Sequence, residues 1–385
     1  MTTVAVLGGA GGIGNVVSRV LSDMDIFDTV LIADLDEQRI DSMIHSIGSG
    51  KISGQKLDFR IGDDIDRVLS RADVAVNCSW DDFNQIVTDA ALRTSTDMVD
   101  LSSSMSGSEL LQIGRNAEAL DAGITVILEL GVDPGISNVL AKKLTENMER
   151  VSSVRIRDAD RDIGTVEHPF RFTVRGVLEE WTWDAVTWQS GGYRLEPPLS
   201  RWEDTVFPEP INTIRTYLTP HEEPITLPKF LGKPVDYVDF MLAQPYEMFS
   251  VLKRLGLLEK KKVRINDETN ISPYDFLANY LSRYQSSNSP GEITDVSGVL
   301  VRVEGVSNGK TSSRSACALS FSRKEWKAVG GHILTGTSAA IGAEMIVSGK
   351  INRHGMIPPE ACVDPEYFLK RLEEFGIKLN IDKGE

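Results

Sequence analysis

A cluster of glycines near the N-terminus has the spacing that binds a dinucleotide. A short apolar segment, residues 2–7, leads into Gly9, Gly11 and Gly14, and an apolar helical pattern follows. The first glycine allows a tight turn, the second lets the backbone approach a pyrophosphate, and the third lets helix and strand pack closely. The pyrophosphate would bind free amides at the positive end of the helix dipole. We therefore predict a cofactor-binding loop made of Gly9, Gly11, Gly12, Ile13 and Gly14.

An acidic residue stands where the ribose of such a cofactor would lie. The apolar run 29–33 ends in Asp34, twenty residues beyond Gly14, and an acid at this spacing accepts hydrogen bonds from ribose hydroxyls. The alternative is that Asp34 only caps a helix that begins near Asp36. We favour the first role, in which Asp34 binds the ribose. No arginine follows Asp34 directly to bind a 2′-phosphate, since Arg39 lies within the next helix, so NAD is predicted in preference to NADP.

Strands and helices alternate over the first 130 or so residues. This order predicts an α/β fold with an N-terminal Rossmann-type, doubly wound parallel sheet, in which ligands bind at the carboxyl ends of the strands. Several further cofactor-binding candidates follow predicted strands: Asp63, Asn77, Cys78, Ser79, Asp100 and Ser102. A helix-capping role for Asp63 is an equal alternative. Cys78 is not predicted to be a nucleophile, because no His or Lys pattern nearby would lower its pKa.

The alternation stops at residues 131–138. There Asp133-Pro134-Gly135 predicts a turn and a helix start, with Asp133 as a candidate N-cap. Strands and helices of mixed order follow, including a helical stretch over 177–188, a loop-rich, proline-rich stretch over 197–234 and a long antiparallel hairpin over 296–321.

Three domains are predicted from this order. Residues 1–130 form the NAD-binding Rossmann domain, and residues 131–335 form a mixed α+β domain for substrate and dimerisation. Residues 336–385 form C-terminal helices that pack back on the first domain. A homodimer through the open sheet of the second domain is expected, because exposed sheet edges need covering.

The composition excludes several classes of protein. The 385 residues carry a formal net charge of −15, which argues against a surface for nucleic acid or anionic membrane. Three scattered cysteines predict neither disulfides nor a zinc cluster, and no metal site is predicted. No signal peptide or membrane-spanning run is present in the sequence, so we expect a cytoplasmic protein that binds a small molecule.

Five segments together resemble the saccharopine dehydrogenase-like family, which includes saccharopine reductases and lysine 6-dehydrogenases. They are the glycine-rich start, Val99–Leu101, Glu129–Gly135, the helix at 337–351 and Pro358–Glu360. The resemblance implies NAD(P)-dependent oxidation of a carbon–nitrogen bond in an amino acid. A hydride leaves the carbon that bears the amine for the nicotinamide, and water hydrolyses the resulting imine. The protein positions the carbon and keeps the amine neutral.

The resemblance also implies roles for two acids. Asp133 matches the aspartate of the family's Gly-x-Asp-Pro-Gly turn and is the candidate catalytic residue, either as a proton relay or as the group that holds the substrate ammonium. A helix cap without chemistry is the alternative. Glu129 is a second candidate for binding an amine.

Arginine suits the carboxylates of such a substrate, because its fork binds them through two hydrogen bonds. Arg175 lies in a segment that resembles the family's segment at the start of a second-domain helix, and it is the candidate for binding the substrate carboxylate. Arg171 and Arg157 are the alternative candidates. Trp80 and Phe83 are predicted to wall the substrate and nicotinamide pocket.

Two segments depart from the saccharopine reductase pattern and leave the substrate open. They are Ser102–Met105 and the proline-rich stretch 202–228. Two alternatives to an amino-acid dehydrogenase therefore stand: a non-catalytic NAD-binding regulatory protein, and a polyamine enzyme of the carboxynorspermidine dehydrogenase type. His168 and His332 precede candidate site elements, and a structural hydrogen-bonding role is favoured for both.

Overall fold

A parallel sheet between two layers of helices forms the first part of the chain in a computed structural model, which describes residues 1–164, 173–287, 294–382 and 384. Its strands and helices alternate as β1 (Thr3–Leu7), α1 (Gly12–Ser22), β2 (Thr29–Asp34), α2 (Glu37–Ile47), β3 (Ile52–Lys56), α3 (Gly62–Leu69), β4 (Val74–Asn77), α4 (Asn84–Thr94), β5 (Asp97–Asp100), β6 (Met105–Ser106), β7 (Glu109–Leu110), α5 (Asn116–Ala122) and β8 (Thr125–Ile127).

The strands of this sheet are buried on both faces. In β1, Val4 and Val6 pack in a core with α1, while Ala5 and Leu7 pack in a second core with α3 and α4. Strands that are covered twice read as continuous apolar runs, which is why the parallel sheet was predictable. β1 pairs in parallel with β2 on one side and with β4 on the other. The chain order reverses between these neighbours, and the crevice at their carboxyl ends is where dinucleotides bind in such folds.

The second part of the chain is mixed, as predicted. It comprises α6 (Ile136–Thr145), β9 (Arg150–Asp162), α7 (Val174–Glu180), β10 (Ala185–Gln189), β11 (Gly192–Glu196), β12 (Trp202–Val206), β13 (Thr213–Leu218), α8 (Glu223–Phe230), β14 (Tyr237–Leu242), α9 (Tyr246–Arg254), β15 (Val263–Arg264), β16 (Asn270–Ile271), α10 (Pro273–Ser287), β17 (Asp295–Ser307) and β18 (Lys310–Phe321). The predicted hairpin is β17–β18, in which Val296 pairs with Phe321.

Two predictions about this part were wrong. The helix predicted over 177–188 ends at Glu180, because β10 pairs with β11 and β14 and so takes the following residues into the sheet. The proline-rich stretch 197–234 holds β12, β13 and α8 rather than loops alone. Its Pro224 lies in the first turn of α8, where a missing amide breaks no helical hydrogen bond.

The chain ends with α11 (Gly330–Val347), β19 (Gly355–Ile357), α12 (Pro359–Cys362), α13 (Pro365–Glu374) and β20 (Lys378–Asp382). In the described residues, β19 is an edge strand of a seven-stranded first sheet, ordered β19-β8-β5-β4-β1-β2-β3. β20 is an edge strand of the second sheet, ordered β11-β10-β14-β9-β17-β18-β20 with β12 and β13 attached beside β14.

Two helices join the sheets into one core. α6 and α11 both contact β17, and α11 also packs along α1. Small residues make this close contact feasible: a Cβ at Gly336 would lie 2.7 Å from Cβ of Val16. The carboxyl ends of the first sheet are thereby held against one face of the second sheet. Among the described helices, none has the length and apolar character needed to cross a membrane.

Candidate active site

The glycine loop between β1 and α1 opens a cleft of about 580 Å³ between the two sheets. Gly11 is the N-cap of α1, and Gly11, Gly12, Ile13 and Gly14 all line the cleft. A Cβ at Gly14 would lie 2.6 Å from the carbonyl oxygen of Gly8, so a larger residue does not fit there. The loop and the free amides of the first helical turn suit a pyrophosphate. Gly9 lies behind the loop, where its amide donates to the carbonyl of Ala33 at 3.1 Å.

Asp34 supports the loop and does not cap the next helix. Its Oδ2 accepts a hydrogen bond from the amide of Ala10 at 3.0 Å. The cap of α2 is Asp36, which accepts from the amides of Gln38 and Arg39. The capping alternative for Asp34 was therefore wrong. Arg39 lies at the mouth of the same cleft.

Four of the other predicted cofactor-site residues form one hydrogen-bond network at the carboxyl ends of β4 and β5. Ser79 Oγ donates to Asn77 Oδ1 at 2.6 Å, and Asn77 Nδ2 donates to Asp100 Oδ2 at 3.2 Å. The amide of Ser102 donates to Asp100 Oδ1 at 3.4 Å. Burial raises the pKa of Asp100 to about 7. Cys78, Ser79 and Ser102 line the cleft, and burial raises the pKa of the Cys78 thiol, which fits an inert cysteine.

Three other predicted residues lie in different places. Trp80 lines the cleft with about half of its surface exposed. Phe83 stacks on Phe59 with ring centroids 5.0 Å apart and is not among the described residues that line the cleft. Asp63 is exposed in the first turn of α3, also outside that lining. The roles of Phe83 and Asp63 stay predictions that the geometry does not support.

Asp133 lies in the cleft and leaves helix capping to another residue. The N-cap of α6 is Gly135, whose amide donates to Oδ1 of Asn138 at 2.9 Å. The capping alternative for Asp133 was therefore wrong. Its carboxyl shares a hydrogen bond with Asp158 of β9, and burial together with the neighbouring Asp158 charge raises the pKa of Asp133 well above its usual range. Burial likewise raises the pKa of Asp158. Two carboxyl groups this close hold one proton between them.

A histidine stands beside this pair as a cation. The ring of His221 stacks on Phe240 at 3.6 Å between centroids, and its Nδ1 lies 2.8 Å from Oε2 of Glu223. Burial alone would lower the pKa of His221, but Glu223, Glu222 and Glu180 raise it to about 9. Burial raises the pKa of Glu222 and of Glu180 to about 7. His221 is thus an imidazolium at neutral pH.

The same histidine belongs to a group of side chains with the spacing of metal ligands. The ligand atoms of His221, Glu222 and Glu223 lie within 4.8 Å of one another. An imidazolium has no free lone pair for a metal ion. Glu223 is also bound by Ser137, whose Oγ donates to its Oε1 at 2.7 Å. His221 and Glu223 form a buried ion pair.

His332 faces the opposite, cofactor end of the cleft. Burial lowers its pKa to about 4, so the ring is neutral. A Cβ at Gly12 would lie 2.4 Å from Cε1 of His332, so the ring rests directly on the glycine loop. A larger residue at position 12 would have to displace the His332 ring.

Arg175 and Arg157 both form ion pairs with carboxylates of the protein. Arg175 bridges the two domains through Asp82 and Glu179, each at 3.1 Å. Arg157 is buried in the second sheet, where it pairs with Glu203 and Asp239, each at 2.8 Å. Arg157 is therefore not available to bind a carboxylate of the substrate. Arg171 and His168 lie outside the described residues.

Carboxyl groups outnumber cationic side chains in the described lining of the cleft. Among its described lining residues, the carboxyl groups are Asp81, Asp133, Glu180 and Glu222. The imidazolium of His221 opposes them, and Arg39 at the cofactor end is the one Arg or Lys side chain in that described lining. This excess of carboxylates attracts a cationic ligand.

Several of these residues were missed at the sequence level. Asp158, Glu180, His221, Glu222 and Glu223 lie far apart in the chain or in the stretch taken for loops. The one available signal was the sequence His221-Glu222-Glu223, in which a histidine precedes two acids. Acids in a proline-rich stretch are usually exposed to solvent, so this signal was weak.

Comparison with known proteins places this fold and site in one family. The model of the saccharopine dehydrogenase NADP binding domain matches residues 4–127, and that of the saccharopine dehydrogenase C-terminal domain matches residues 131–377. The chain belongs to the saccharopine dehydrogenase family and is an NAD(P)-dependent dehydrogenase. The family resemblance predicted from the sequence is confirmed.

Two relatives match over nearly the whole chain. Carboxynorspermidine synthase of Vibrio alginolyticus is 23% identical, with 96% of that protein and 98% of this chain covered. Carboxyaminopropylagmatine dehydrogenase of Synechocystis sp. is 26% identical, with 95% of that protein and 96% of this chain covered.

Two solved structures share the fold. Apo saccharopine dehydrogenase (L-Glu forming) from Saccharomyces cerevisiae superposes with a TM-score of 0.76 at 19% identity, covering 99% of this chain and 100% of that one. Homospermidine synthase from Legionella pneumophila in complex with NAD gives a TM-score of 0.67 at 13% identity, covering 99% and 91%. The predicted α/β class, with a Rossmann-type sheet and a second mixed domain, is confirmed.

Proposed function

We propose that the protein oxidises, or in reverse forms, a carbon–nitrogen bond in a carboxylated polyamine. The observation that carries this proposal is the lining of the cleft, where Asp81, Asp133, Glu180 and Glu222 supply four carboxyl groups against the two cations of His221 and Arg39. A polyamine with one carboxyl group is a net cation at neutral pH. Saccharopine carries more carboxylates than amines and would need several arginines or lysines here.

The names of the two full-length relatives support the same substrate class. Carboxynorspermidine and carboxyaminopropylagmatine are both amines that carry a carboxyl group. The polyamine alternative raised from the sequence is therefore preferred to saccharopine or lysine.

Different residues along the cleft bind the cofactor and the substrate. Gly11, Gly12 and Gly14 with the start of α1 hold the cofactor pyrophosphate, and Asp34 holds the adenosine ribose. The nicotinamide, when bound, takes up or gives back a hydride. In the oxidative direction the carbon–hydrogen electron pair leaves the substrate, a carbon–nitrogen double bond forms, and water then splits this imine into a carbonyl compound and an amine.

The Asp133–Asp158 pair handles the proton of the reacting amine. An ammonium has no lone pair to form the double bond, so it first gives a proton to this pair. A carboxyl group with a raised pKa is a stronger base than an ordinary aspartate and is better matched to an amine. Asp81, Glu180 and Glu222 hold the ammonium groups that do not react and thereby fix the reacting carbon.

A substrate panel tests this function. The purified protein is incubated with NAD⁺ or NADP⁺ and with carboxynorspermidine, saccharopine or lysine. Reduced nicotinamide is followed by absorbance and products by mass spectrometry. Turnover of carboxynorspermidine, with a diamine released, is the expected result. Nucleotide binding without turnover of any amine would instead support the non-catalytic regulatory protein.

A further inference from the structure

The first turns of α1 and α11 lie side by side at the cofactor end of the cleft. A Cβ at Gly12 would lie 2.4 Å from Cε1 of His332, and a Cβ at Gly336 would lie 2.7 Å from Cβ of Val16. These two contacts are one helical turn apart in each helix, so α1 and α11 run parallel with their N-terminal ends level. His332, in the first turn of α11, is thereby held beside the loop that suits a pyrophosphate.

The ring of His332 is part of the wall of the cleft and has an unsatisfied nitrogen. It lines the cleft together with Gly11, Gly12 and Ile13. Its Nδ1 is closed off from solvent and has no hydrogen-bond partner among the described residues, which leaves Nε2 as the ring nitrogen that a ligand in the cleft can reach. Buried side-chain nitrogens usually have a partner within the protein. The structural hydrogen-bonding role favoured from the sequence therefore finds no partner at Nδ1.

Glu129, which was predicted to bind an amine, shows the contrast with His332. Its carboxyl group is fully buried, and it is not among the described residues that line the cleft. Burial raises the pKa of Glu129 well above its usual range, so the group is uncharged. Its predicted role stays a prediction that the geometry does not support.

The protonation state of His332 suits a hydrogen-bond donor to phosphate. Burial lowers its pKa to about 4, so at neutral pH the ring has one N–H and one lone pair. Phosphate oxygens of a dinucleotide only accept hydrogen bonds, so beside them Nε2 is the nitrogen that carries the proton. The free amides at the start of α1 are donors to the same group, and the imidazole adds a further N–H from the facing helix.

α1 and His332 come from different domains. α1 lies within residues 4–127, which match the NADP binding domain, whereas His332 lies within residues 131–377, which match the C-terminal domain. The amide of Gly330 donates to Oδ1 of Asp295 at 3.0 Å, and this bond ties the first turn of α11 to β17 of the second sheet. A pyrophosphate that contacts both first turns therefore connects the two domains.

We infer that His332 donates a hydrogen bond from Nε2 to the pyrophosphate of the cofactor, so that the second domain binds the nucleotide together with the glycine loop. The inference rests on the proposed placement of the pyrophosphate at that loop and is independent of which amine is the substrate. It applies to a nucleotide that has the pyrophosphate, whether or not the nicotinamide is attached.

Calorimetric titration of NAD⁺ and of ADP-ribose, which has the pyrophosphate but no nicotinamide, tests this assignment without turnover. His332→Leu removes the donor and keeps an apolar side chain of similar bulk, and it is expected to weaken both nucleotides about tenfold. His332→Gln places an amide N–H near the position of Nε2 and should restore both affinities to within about threefold. His45→Leu, which replaces an exposed histidine of α2, is the matched control and should change neither affinity.

Thermal unfolding of the nucleotide-free protein separates a binding role from a structural one. Since Nδ1 is buried without a partner, His332→Leu should leave the melting temperature unchanged or raise it. A lower melting temperature with unchanged affinities would make His332 a structural residue and overturn the inference. A loss for NAD⁺ alone would place the ring at the nicotinamide and overturn it equally. Failure to turn over carboxynorspermidine, with the expected losses for both nucleotides, would remove the proposed substrate and leave this inference standing.

Discussion

The carboxyl groups of Asp133 and Asp158 share a hydrogen bond, although one comes from the turn before α6 and the other from the middle of β9. β9 places Asp158 between Leu242 of β14 and Val299 of β17, at the centre of the second sheet. The turn that carries Asp133 is joined to the first sheet through the amide of Leu130, which donates to the carbonyl of Asp100 at 2.9 Å. The pair therefore exists only when the two sheets are docked.

This pair predicts a loss of rate without a loss of cofactor binding. Asp133→Asn removes one carboxyl group of the pair that takes the amine's proton, so kcat should fall by about 10²- to 10⁴-fold. The Kd for NAD⁺ should stay within about twofold, because Asp133 belongs to the turn before α6 and not to the glycine loop. Steady-state kinetics and fluorescence titration measure the two quantities. An unchanged kcat would show that the pair only supports the structure.

Asp34 predicts the choice between NAD and NADP. Asp34→Ala should weaken NAD⁺ by about tenfold, the loss of a charge-assisted hydrogen bond, and should narrow the difference from NADP⁺, because the carboxylate repels a 2′-phosphate. Asp36→Ala is the matched control. It removes a helix cap at a cost of about 1 kcal/mol in stability and should leave both affinities unchanged. Equal affinity of the unsubstituted protein for NAD⁺ and NADP⁺ would contradict the preference.

Arg175 predicts a KM effect that depends on the substrate carboxylate. In the free protein it bridges Asp82 and Glu179, and such half-exposed pairs contribute less than about 1 kcal/mol to stability. If Arg175 binds the substrate carboxylate, as the family resemblance implies, Arg175→Ala should raise KM for carboxynorspermidine about tenfold. The calorimetric Kd for norspermidine, which has no carboxylate, should not rise. An equal loss of affinity for both amines would contradict this role and show that Arg175 only supports the structure of the site.

The carboxyl groups of the cleft predict that amines bind more tightly as pH rises. Burial raises the pKa of Glu222 and of Glu180 to about 7, so both are largely protonated and neutral at about pH 6 and become negative by about pH 8. Norspermidine keeps most of its positive charge over this range, since alkylammonium groups titrate near 10. Its affinity should therefore increase across this window. Glu222→Gln should flatten the profile, and a profile that falls with rising pH would contradict the assignment.

Much of the cofactor half was predictable because its signals are local. Gly9–Gly14 and Asp34 lie within one βαβ unit, where fixed spacing follows from the geometry of a single turn. Asn77, Asp100 and Ser102 were predictable in the same way, since parallel strands bring their carboxyl ends to one edge.

The substrate half was less predictable because its contacts are long-range. Asp158 meets Asp133 through the docking of the second sheet on the first, and His221 lies near Glu180 although the two are far apart in the sequence of the second part. Arg157 was a candidate because arginine suits the carboxylates of a substrate. The register of β9 instead places its side chain in the sheet, where it pairs with Asp239. Sequence spacing carries no information about such register-dependent partners.

A competition in one vessel tests the central claim most directly. The protein is mixed with NAD⁺ and equal concentrations of carboxynorspermidine, saccharopine and lysine, and the disappearance of each is followed by mass spectrometry, which gives the ratio of their kcat/KM values. The acidic cleft predicts that carboxynorspermidine is consumed first, by at least a hundredfold in kcat/KM. Preferential consumption of saccharopine would contradict the account, because that anionic substrate would meet more carboxyl groups than cations among the described residues of the cleft.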